Sequence, residues 1–274
     1  MKQLSQILSY ILPVFYLCAV YIYYNIFFGK KKELENKTFP ILIALLISHA
    51  AEIAIRLSSL RAMPFSTAFD ALSFLAFSIL FIYLLIESGI KNKASGLFIL
   101  SFAFLLQLIS SFNHTWERET NELLSSPTFA IHASLTVMGY TALSLSAIYA
   151  LMYIIHHQNM KKRRFGAIYH QMPPLDYLES MSIRSVAIGV ILLGVGIFMG
   201  HVQASRVLGS FWFADPKVII SDIIWLSYFT SYALARAMKW RGRWMAYLSL
   251  SGFLILMTSG VIVFTLTETF HKFY

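Results

Sequence analysis

Apolar stretches of roughly membrane-spanning length recur along the whole chain, separated by short connections that carry most of the charge. A helix needs about 20 predominantly apolar residues to cross a bilayer. Eight segments meet this requirement and predict an all-α, polytopic integral membrane bundle of about eight transmembrane helices, forming one domain over 1–274. The segments are 7–28, 39–57, 66–87, 95–112, 128–155, 182–200, 219–238 and 244–267.

The composition supports a multi-pass protein of the cell (inner or plasma) membrane, with the lipid bilayer as its main surroundings. Hydrophobic residues make up 58% of the chain and charged residues 13%, whereas soluble domains carry about 45–50% and about 25%. The net charge of +9 needs no nucleic acid partner, because basic residues are expected in cytoplasmic loops.

The connections between the predicted spans differ in basic content. Four of them hold fourteen lysines and arginines, whereas the others, with both chain ends, hold seven. The richer set is predicted to be cytoplasmic, which places both termini on the outer face. In the longest cytoplasmic connection, 156–181, apolar residues from Leu175 to Met181 have helical spacing. They predict an interfacial helix that leads into the sixth span.

The outer connection after the sixth span has the most unusual sequence, GSFWFADPKVIISDIIW at 209–225. It combines clustered aromatics, an Asp-Pro break and one lysine. Such a loop at a membrane surface suits a flat, apolar, partly charged ligand, and haem is such a ligand. Aromatic faces would cover the porphyrin, and a basic residue would pair with its propionates. The predicted haem contacts are Phe211, Trp212, Phe213, Asp215, Lys217, Trp225 and Arg206.

An ordinary belt of aromatic residues at the membrane interface is the alternative explanation of this loop. Tyr and Trp are enriched at both membrane surfaces without any ligand. The two interpretations differ in whether ligands for iron lie at the same depth.

Histidines on the predicted outer side supply such ligands, because imidazole is a usual axial ligand of haem iron. His132 follows a proline-led start of the fifth span, and His271 lies where the last span ends. Both are predicted at the depth of the aromatic loop, as the axial ligands of non-covalent haem b. His49 and His201 are further candidates. The chain has one cysteine, Cys18, so it has no CxxCH site for covalent attachment.

A polar stripe is predicted on the second span. His49, Glu52 and Arg56 are spaced i, i+3, i+7, which puts them on one helix face. Ionisable residues inside a membrane are costly and face a partner or a cavity. A structural ion pair, a proton path and part of a ligand pocket are the three explanations that the spacing leaves open.

The segment 209–225 resembles the tryptophan-rich haem platform of the integral membrane cytochrome c assembly proteins of the CcsA/CcmC/ResC type, especially their shorter HemX-like members. The family pattern is WGxxWxWDPKE followed by a further Trp. The residues that match it are Gly209, Trp212, Asp215, Pro216, Lys217 and Trp225. RAMPFSTAFDALSFLAF, at 61–77, is similar to a second family segment, and RGRW at 241–244 to a third.

The resemblance implies an external "WWD-like" loop at about 201–225, flanked by two histidines that ligate the haem iron. These correspond to His132 and His271. Three platform positions depart from the family pattern, since Leu208, Ala214 and Val218 replace two tryptophans and a glutamate. These departures favour a smaller haem-binding or regulatory relative over a complete haem-attaching machine.

Two functions follow from the resemblance. In the first, the protein holds haem at the outer leaflet, or hands it over, for cytochrome c maturation, with an assembly partner subunit or apocytochrome c as partner. Any enzymatic role would be that of a subunit of a haem lyase. In the second, it is a HemX-like regulatory or scaffold protein of haem biosynthesis that need not transport haem. A small-molecule transporter is disfavoured because no matched pair of broken helices is visible.

Overall fold

This computed structural model describes residues 2–29, 32–60, 67–90, 92–113, 127–208 and 216–266. Within these ranges the regular structure is entirely helical. The helices are α1 (Lys2–Phe27), α2 (Thr38–Leu60), α3 (Ala68–Gly89), α4 (Ala94–Phe112), α5 (Pro127–Lys161), α6 (Ala167–Gln171), α7 (Leu175–Leu208), α8 (Pro216–Ala237) and α9 (Arg243–Leu266), with a 3₁₀ helix at Lys32–Lys37.

The long helices confirm the prediction of a polytopic membrane bundle. Seven segments among the described residues are long and apolar enough to cross a membrane, and they correspond to α1–α5, α7 and α8. The last predicted span corresponds to α9, a helix of 24 residues. Each predicted span therefore coincides with one helix, and the protein is a multi-pass membrane protein.

Two helices are longer than the hydrophobic pattern predicted. α5 has 35 residues and α7 has 34, so both extend beyond the apolar segments that located them. The predicted interfacial helix from Leu175 is the first part of α7, and it continues into the span without a break. In the segment 201–225, residues 201–208 belong to α7 and 216–225 to α8.

The chain divides into two compact units. The first comprises Met1–Thr120 and Asn159–Pro173, and the second comprises Asn121–Gln158 and Pro174–Phe273. In the first unit, α1 and α3 each pack against both α2 and α4, as in a four-helix bundle. Its largest fully buried side chains are Tyr16, Tyr23, Tyr83, Phe69, Leu12, Leu42, Ile79, Leu80, Ile99 and Leu100.

The start of α3 shows how the local sequence fixes a helix end. Thr67 is the N-cap, and its hydroxyl oxygen accepts a hydrogen bond from the backbone N–H of Asp70 at 3.1 Å. The Thr67 hydroxyl in turn donates to Asp70 Oδ2 at 2.8 Å. This pair satisfies one of the backbone donors that the first turn leaves unpaired.

The second unit contains α5, α7, α8 and α9, and glycines bring its helices close together. A Cβ added at Gly139 of α5 would lie 2.8 Å from the backbone nitrogen of Leu193 on α7. Similarly, a Cβ added at Gly252 of α9 would lie 2.6 Å from the Tyr228 ring on α8. Small residues allow such close helix packing in a bilayer.

Candidate functional site

His132 lies one turn and a half inside α5, and its ring packs against α7. Its Nδ1 is 2.6 Å from the carbonyl oxygen of Gly196. A carbonyl oxygen can only accept, so Nδ1 carries the proton and donates. The neutral ring then has its lone pair on Nε2. The contact fixes both the ring orientation and the tautomer.

Two glycines on α7 make room for this ring. Gly196 supplies the carbonyl, and a Cβ built at Gly200 would lie 2.9 Å from the His132 Cε1 atom. Any larger residue at Gly200 would have to displace the imidazole. The i, i+4 glycine spacing is typical of closely packed membrane helices. Here the two glycines leave the space that the His132 side chain occupies.

Arg206 ties the last turn of α7 to the first turn of α5. Its Nη1 donates to the Thr128 hydroxyl at 3.4 Å, and the residue is exposed. Lys217 is the second residue of α8, and its side chain lies outside the described part of the structure. Because His201 of α7 also contacts Asp222 of α8, the start of α5, the end of α7 and the start of α8 form one end of the second unit, which we call the α5/α7/α8 end.

Trp225, the last residue of the predicted platform segment, is anchored to α7. Its Nε1 donates to the Val190 carbonyl at 2.9 Å, and its ring occupies the space beside Gly194. With a rise of about 1.5 Å per residue, Gly194 lies about 9 Å before Gly200 along α7, on the side away from the α5/α7/α8 end. Trp225 thus joins α8 to α7 below the level of His132, with Phe229 stacked on it at 5.6 Å.

His201 is paired with a carboxylate that the sequence analysis did not include. Its Nε2 lies 3.1 Å and 3.2 Å from the two carboxylate oxygens of Asp222. The histidine is buried, whereas the Asp222 side chain is 30% exposed. The pair links α7 to α8. In the sequence, the segment with Phe211, Trp212 and Phe213 lies between these two helices.

Several predicted site residues lie outside the described residues. They are Phe211, Trp212, Phe213, Asp215 and His271. Their predicted contacts with haem remain predictions. Four described members of the predicted set, His132, His201, Arg206 and Trp225, belong to the second unit.

His49 belongs instead to the first unit, where both of its ring nitrogens have protein partners. Nδ1 is 3.0 Å from the Tyr16 hydroxyl, and Nε2 is 2.9 Å from Ser73 Oγ. Ligation of iron by His49 would break one of these hydrogen bonds. The predicted polar stripe is real, since His49, Glu52 and Arg56 are all buried, and Arg56 forms an ion pair with Asp70.

Comparison with known proteins decides the family. Residues 65–271 match the family described as "Cytochrome C assembly protein". The chain belongs to the cytochrome c assembly protein family. This confirms the resemblance inferred from the platform segment, and it implies an involvement with haem.

Individual relatives of this cytochrome c assembly protein cover most of its length. It is 25% identical over 271 residues to Protein HemX of Brevibacillus brevis, with 97% of each chain covered. It is 27% identical over 246 residues to the cytochrome c biogenesis protein CcsA of Heterosigma akashiwo, covering 77% of this chain and 76% of that one. With CcsA of Guillardia theta it is 28% identical over 218 residues, or 70% of each chain.

The chemistry of His132 fits the group that the cytochrome c assembly family implies. Histidines that ligate metals commonly donate their other ring N–H to a backbone carbonyl or a carboxylate, which fixes the tautomer. His132 makes this contact with Gly196. The glycine spacing could have indicated the close approach of α5 and α7. No sequence signal identified Gly196 as the acceptor or Asp222 as the partner of His201.

Proposed function

We propose that this cytochrome c assembly protein binds haem b non-covalently at the α5/α7/α8 end, with His132 as one axial ligand and His271 as the other. The hydrogen bond from His132 Nδ1 to the Gly196 carbonyl carries the proposal, because it presents Nε2 as the nitrogen that can bind iron. Two imidazoles would complete the coordination of the iron, and this would suit holding and transfer of haem more than oxygen chemistry.

The residues around His132 would hold the rest of the porphyrin. Phe211, Trp212 and Phe213 would cover the ring, and Asp215 would shape the turn before Pro216. Lys217 and Arg206 would pair with the propionates. The contact of Arg206 with Thr128 places one of these cations beside the start of α5, in the same helix that carries His132.

Charge bias supports an outer-face position for this end in the cell membrane. Haem held there would be accessible to an apocytochrome c or to an assembly subunit on that side. We therefore propose that the protein holds haem, or hands it over, for cytochrome c maturation, as a partner of a haem lyase and not as a complete synthase.

A second function is favoured by the lengths of the matches. The chain and HemX of Brevibacillus brevis match over 97% of both sequences, whereas the CcsA relatives are covered less completely. The platform segment also has Leu208, Ala214 and Val218 where the family pattern has two tryptophans and a glutamate. A regulatory or scaffold protein of haem biosynthesis, which need not move haem, is the alternative.

Titration of the purified protein with haemin separates the two functions. The haem-holding function predicts saturable binding of one haem per chain and a low-spin, six-coordinate spectrum. The scaffold function predicts no saturable binding and no haem in the protein as isolated from its native membrane.

A further inference from the structure

The turn that joins α8 to α9, residues 238–242, lies in a concentration of positive charge that we call the α8–α9 turn. Four basic residues are exposed there within eight consecutive positions: Arg236, Lys239, Arg241 and Arg243. The sequence contains no Asp or Glu from 223 to 267. The ion pairs found among the described residues involve other groups. In the part of the chain that the structure describes, these four charges are therefore not balanced by a carboxylate.

The end of α8 gives this turn a fixed backbone conformation. The Lys239 N–H donates to the Arg236 carbonyl at 3.1 Å, and the Trp240 N–H donates to the Ala235 carbonyl at 2.9 Å. Lys239 has a φ of 56°, the left-handed conformation that closes many helices with this pair of hydrogen bonds. The helix end therefore fixes where the backbone of Arg236 and Lys239 lies.

Gly242 attaches the same turn to two other helices of the second unit. Its N–H donates to Glu179 Oε1 of α7 at 2.8 Å. Its φ is 62°, which favours glycine, and a Cβ added there would lie 2.8 Å from the Tyr153 hydroxyl of α5. Arg241 and Arg243, on either side of Gly242, therefore extend from an anchored backbone.

Aromatic side chains accompany these cations. The Trp240 and Trp244 ring centres lie 6.1 Å apart, and the two residues are 36% and 55% exposed. The Arg243 guanidinium lies 5.2 Å from the centre of the Trp244 ring, which is within the range of a cation–π contact. Tryptophan is enriched at the level of the lipid headgroups. The two rings therefore favour that depth for the basic residues beside them.

The α8–α9 turn indicates the chemistry of a ligand. An anion would balance its positive charges, and an apolar group would cover its two exposed indoles. An anionic phospholipid has both, because its phosphate accepts the paired N–H groups of arginine and its acyl chains begin at the depth of interfacial tryptophans. Basic groups beside membrane helices on the predicted cytoplasmic side commonly bind such headgroups. An acidic soluble protein would contact the cations but would not cover rings at that depth.

Membrane orientation alone also explains basic residues in this connection, and a second basic segment separates the two explanations. Four consecutive exposed cations follow α5 or end it: Lys161, Lys162, Arg163 and Arg164. This segment has the same charge as the α8–α9 turn and its flanks, but it contains no tryptophan. A lipid attracted by charge alone would bind both segments equally.

We propose that the α8–α9 turn binds one anionic phospholipid, with Lys239, Arg241 and Arg243 at its phosphate and the two tryptophans against its glycerol and acyl chains. α8 has 22 residues, so this site lies about 33 Å along the helix from the α5/α7/α8 end. The site is therefore separate from the proposed haem site, and its test does not depend on whether His132 binds iron.

Native mass spectrometry of the full-length protein in detergent, titrated with dioleoylphosphatidylglycerol, tests this site. One such lipid per chain should bind more tightly than dioleoylphosphatidylcholine, which has the same acyl chains and no net charge. Arg241→Gln/Arg243→Gln should weaken its binding at least about tenfold, because two charged hydrogen-bond donors are lost. Lys161→Gln/Lys162→Gln removes the same charge elsewhere and should leave the affinity unchanged.

Quenching of tryptophan fluorescence keeps the proposal testable if the arginine variant fails to fold. Phosphatidylglycerol brominated near the glycerol end of its acyl chains is added to the unsubstituted protein in detergent. It should quench the fluorescence at a lower concentration than phosphatidylcholine brominated in the same way. The difference between the two lipids should disappear in Trp240→Phe/Trp244→Phe, because the rings that contact the bound lipid are then absent.

Four results would overturn the proposal. The first is equal affinity of the unsubstituted protein for the two dioleoyl lipids. The second is a folded arginine variant that binds phosphatidylglycerol as the lysine variant does, which would show attraction by charge alone or no site at the turn. The third is equal quenching by the two brominated lipids. The fourth is displacement of the lipid by soluble glycerol phosphate, which would show a site for free phosphate.

Discussion

The imidazole of His132 is held by the backbone of the neighbouring helix α7, with Nδ1 2.6 Å from the carbonyl oxygen of Gly196. This contact does for a histidine at a membrane surface what a carboxylate or carbonyl does behind the ligands of many metal sites. It selects the tautomer with its lone pair on Nε2. The same helix leaves space for the ring at Gly200.

Gly200→Ala should weaken haem binding without removing either proposed ligand. The new Cβ would lie 2.9 Å from the His132 ring, so the imidazole has to turn away from its present orientation. Loss of the contact that orients a metal-binding histidine typically lowers the affinity for the metal about 10–100-fold. Haemin titration measures the change, and Gly166→Ala is the control, because a Cβ there meets nothing within 4 Å. Equal affinities in the two variants would show that the ring orientation does not matter.

Trp225→Phe should lower stability more than it lowers haem affinity. The substitution removes the hydrogen bond from the indole N–H to the Val190 carbonyl, which is worth about 1 kcal/mol, and it leaves space beside Gly194. Thermal unfolding in detergent measures the loss. Trp212→Phe is the matched change in the predicted platform, and it should instead weaken haemin binding. The reverse pattern would place Trp225 on the porphyrin and contradict its role as an anchor.

His201→Ala tests whether the contact with Asp222 is a structural clamp between α7 and α8 or a source of an iron ligand. As a clamp, the pair contributes roughly 1 kcal/mol, so the variant should unfold at a lower temperature and keep a low-spin haem spectrum. Asp222→Asn should cause a similar loss of stability, because it removes the carboxylate that the His201 ring contacts. A change to high-spin haem in His201→Ala alone would make His201 a ligand in place of His271.

Arg56→Met should strongly destabilise the first unit. The substitution leaves Asp70 as a buried carboxylate without the guanidinium that pairs with it, and breaking a buried pair from one side costs about 3–5 kcal/mol. The double variant Arg56→Met/Asp70→Leu removes both charges and should recover much of the loss. Thermal unfolding of the unsubstituted protein, the single variants Arg56→Met and Asp70→Leu, and the double variant measures the coupling. Additive losses in the double variant would show that the two residues do not stabilise each other.

Hydrophobic length was enough to predict the helical architecture, because a membrane admits few structures that satisfy the backbone. The helix ends were harder to predict. α7 begins at Leu175 and continues into the span without a break. Hydropathy cannot distinguish these first turns from a separate interfacial helix.

The sequence predicted which residues belong to the candidate site, but only some of their contacts. Position relative to the spans selected His132, and the helices confirm that it lies near the start of α5. Its acceptor is a backbone carbonyl, which every residue carries, so the sequence could not indicate Gly196. The sequence also gave no sign that Trp225 turns its N–H towards Val190, since aromatics of a platform and of a helix interface look alike.

The optical spectrum of the haem-loaded protein tests the central claim most directly, with His132→Ala, His271→Ala and the double variant measured beside the unsubstituted chain. The account predicts a low-spin, six-coordinate spectrum for the unsubstituted protein, five-coordinate high-spin haem in each single variant, and loss of haem in the double variant. An unchanged low-spin spectrum in the double variant would contradict ligation by His132 and His271.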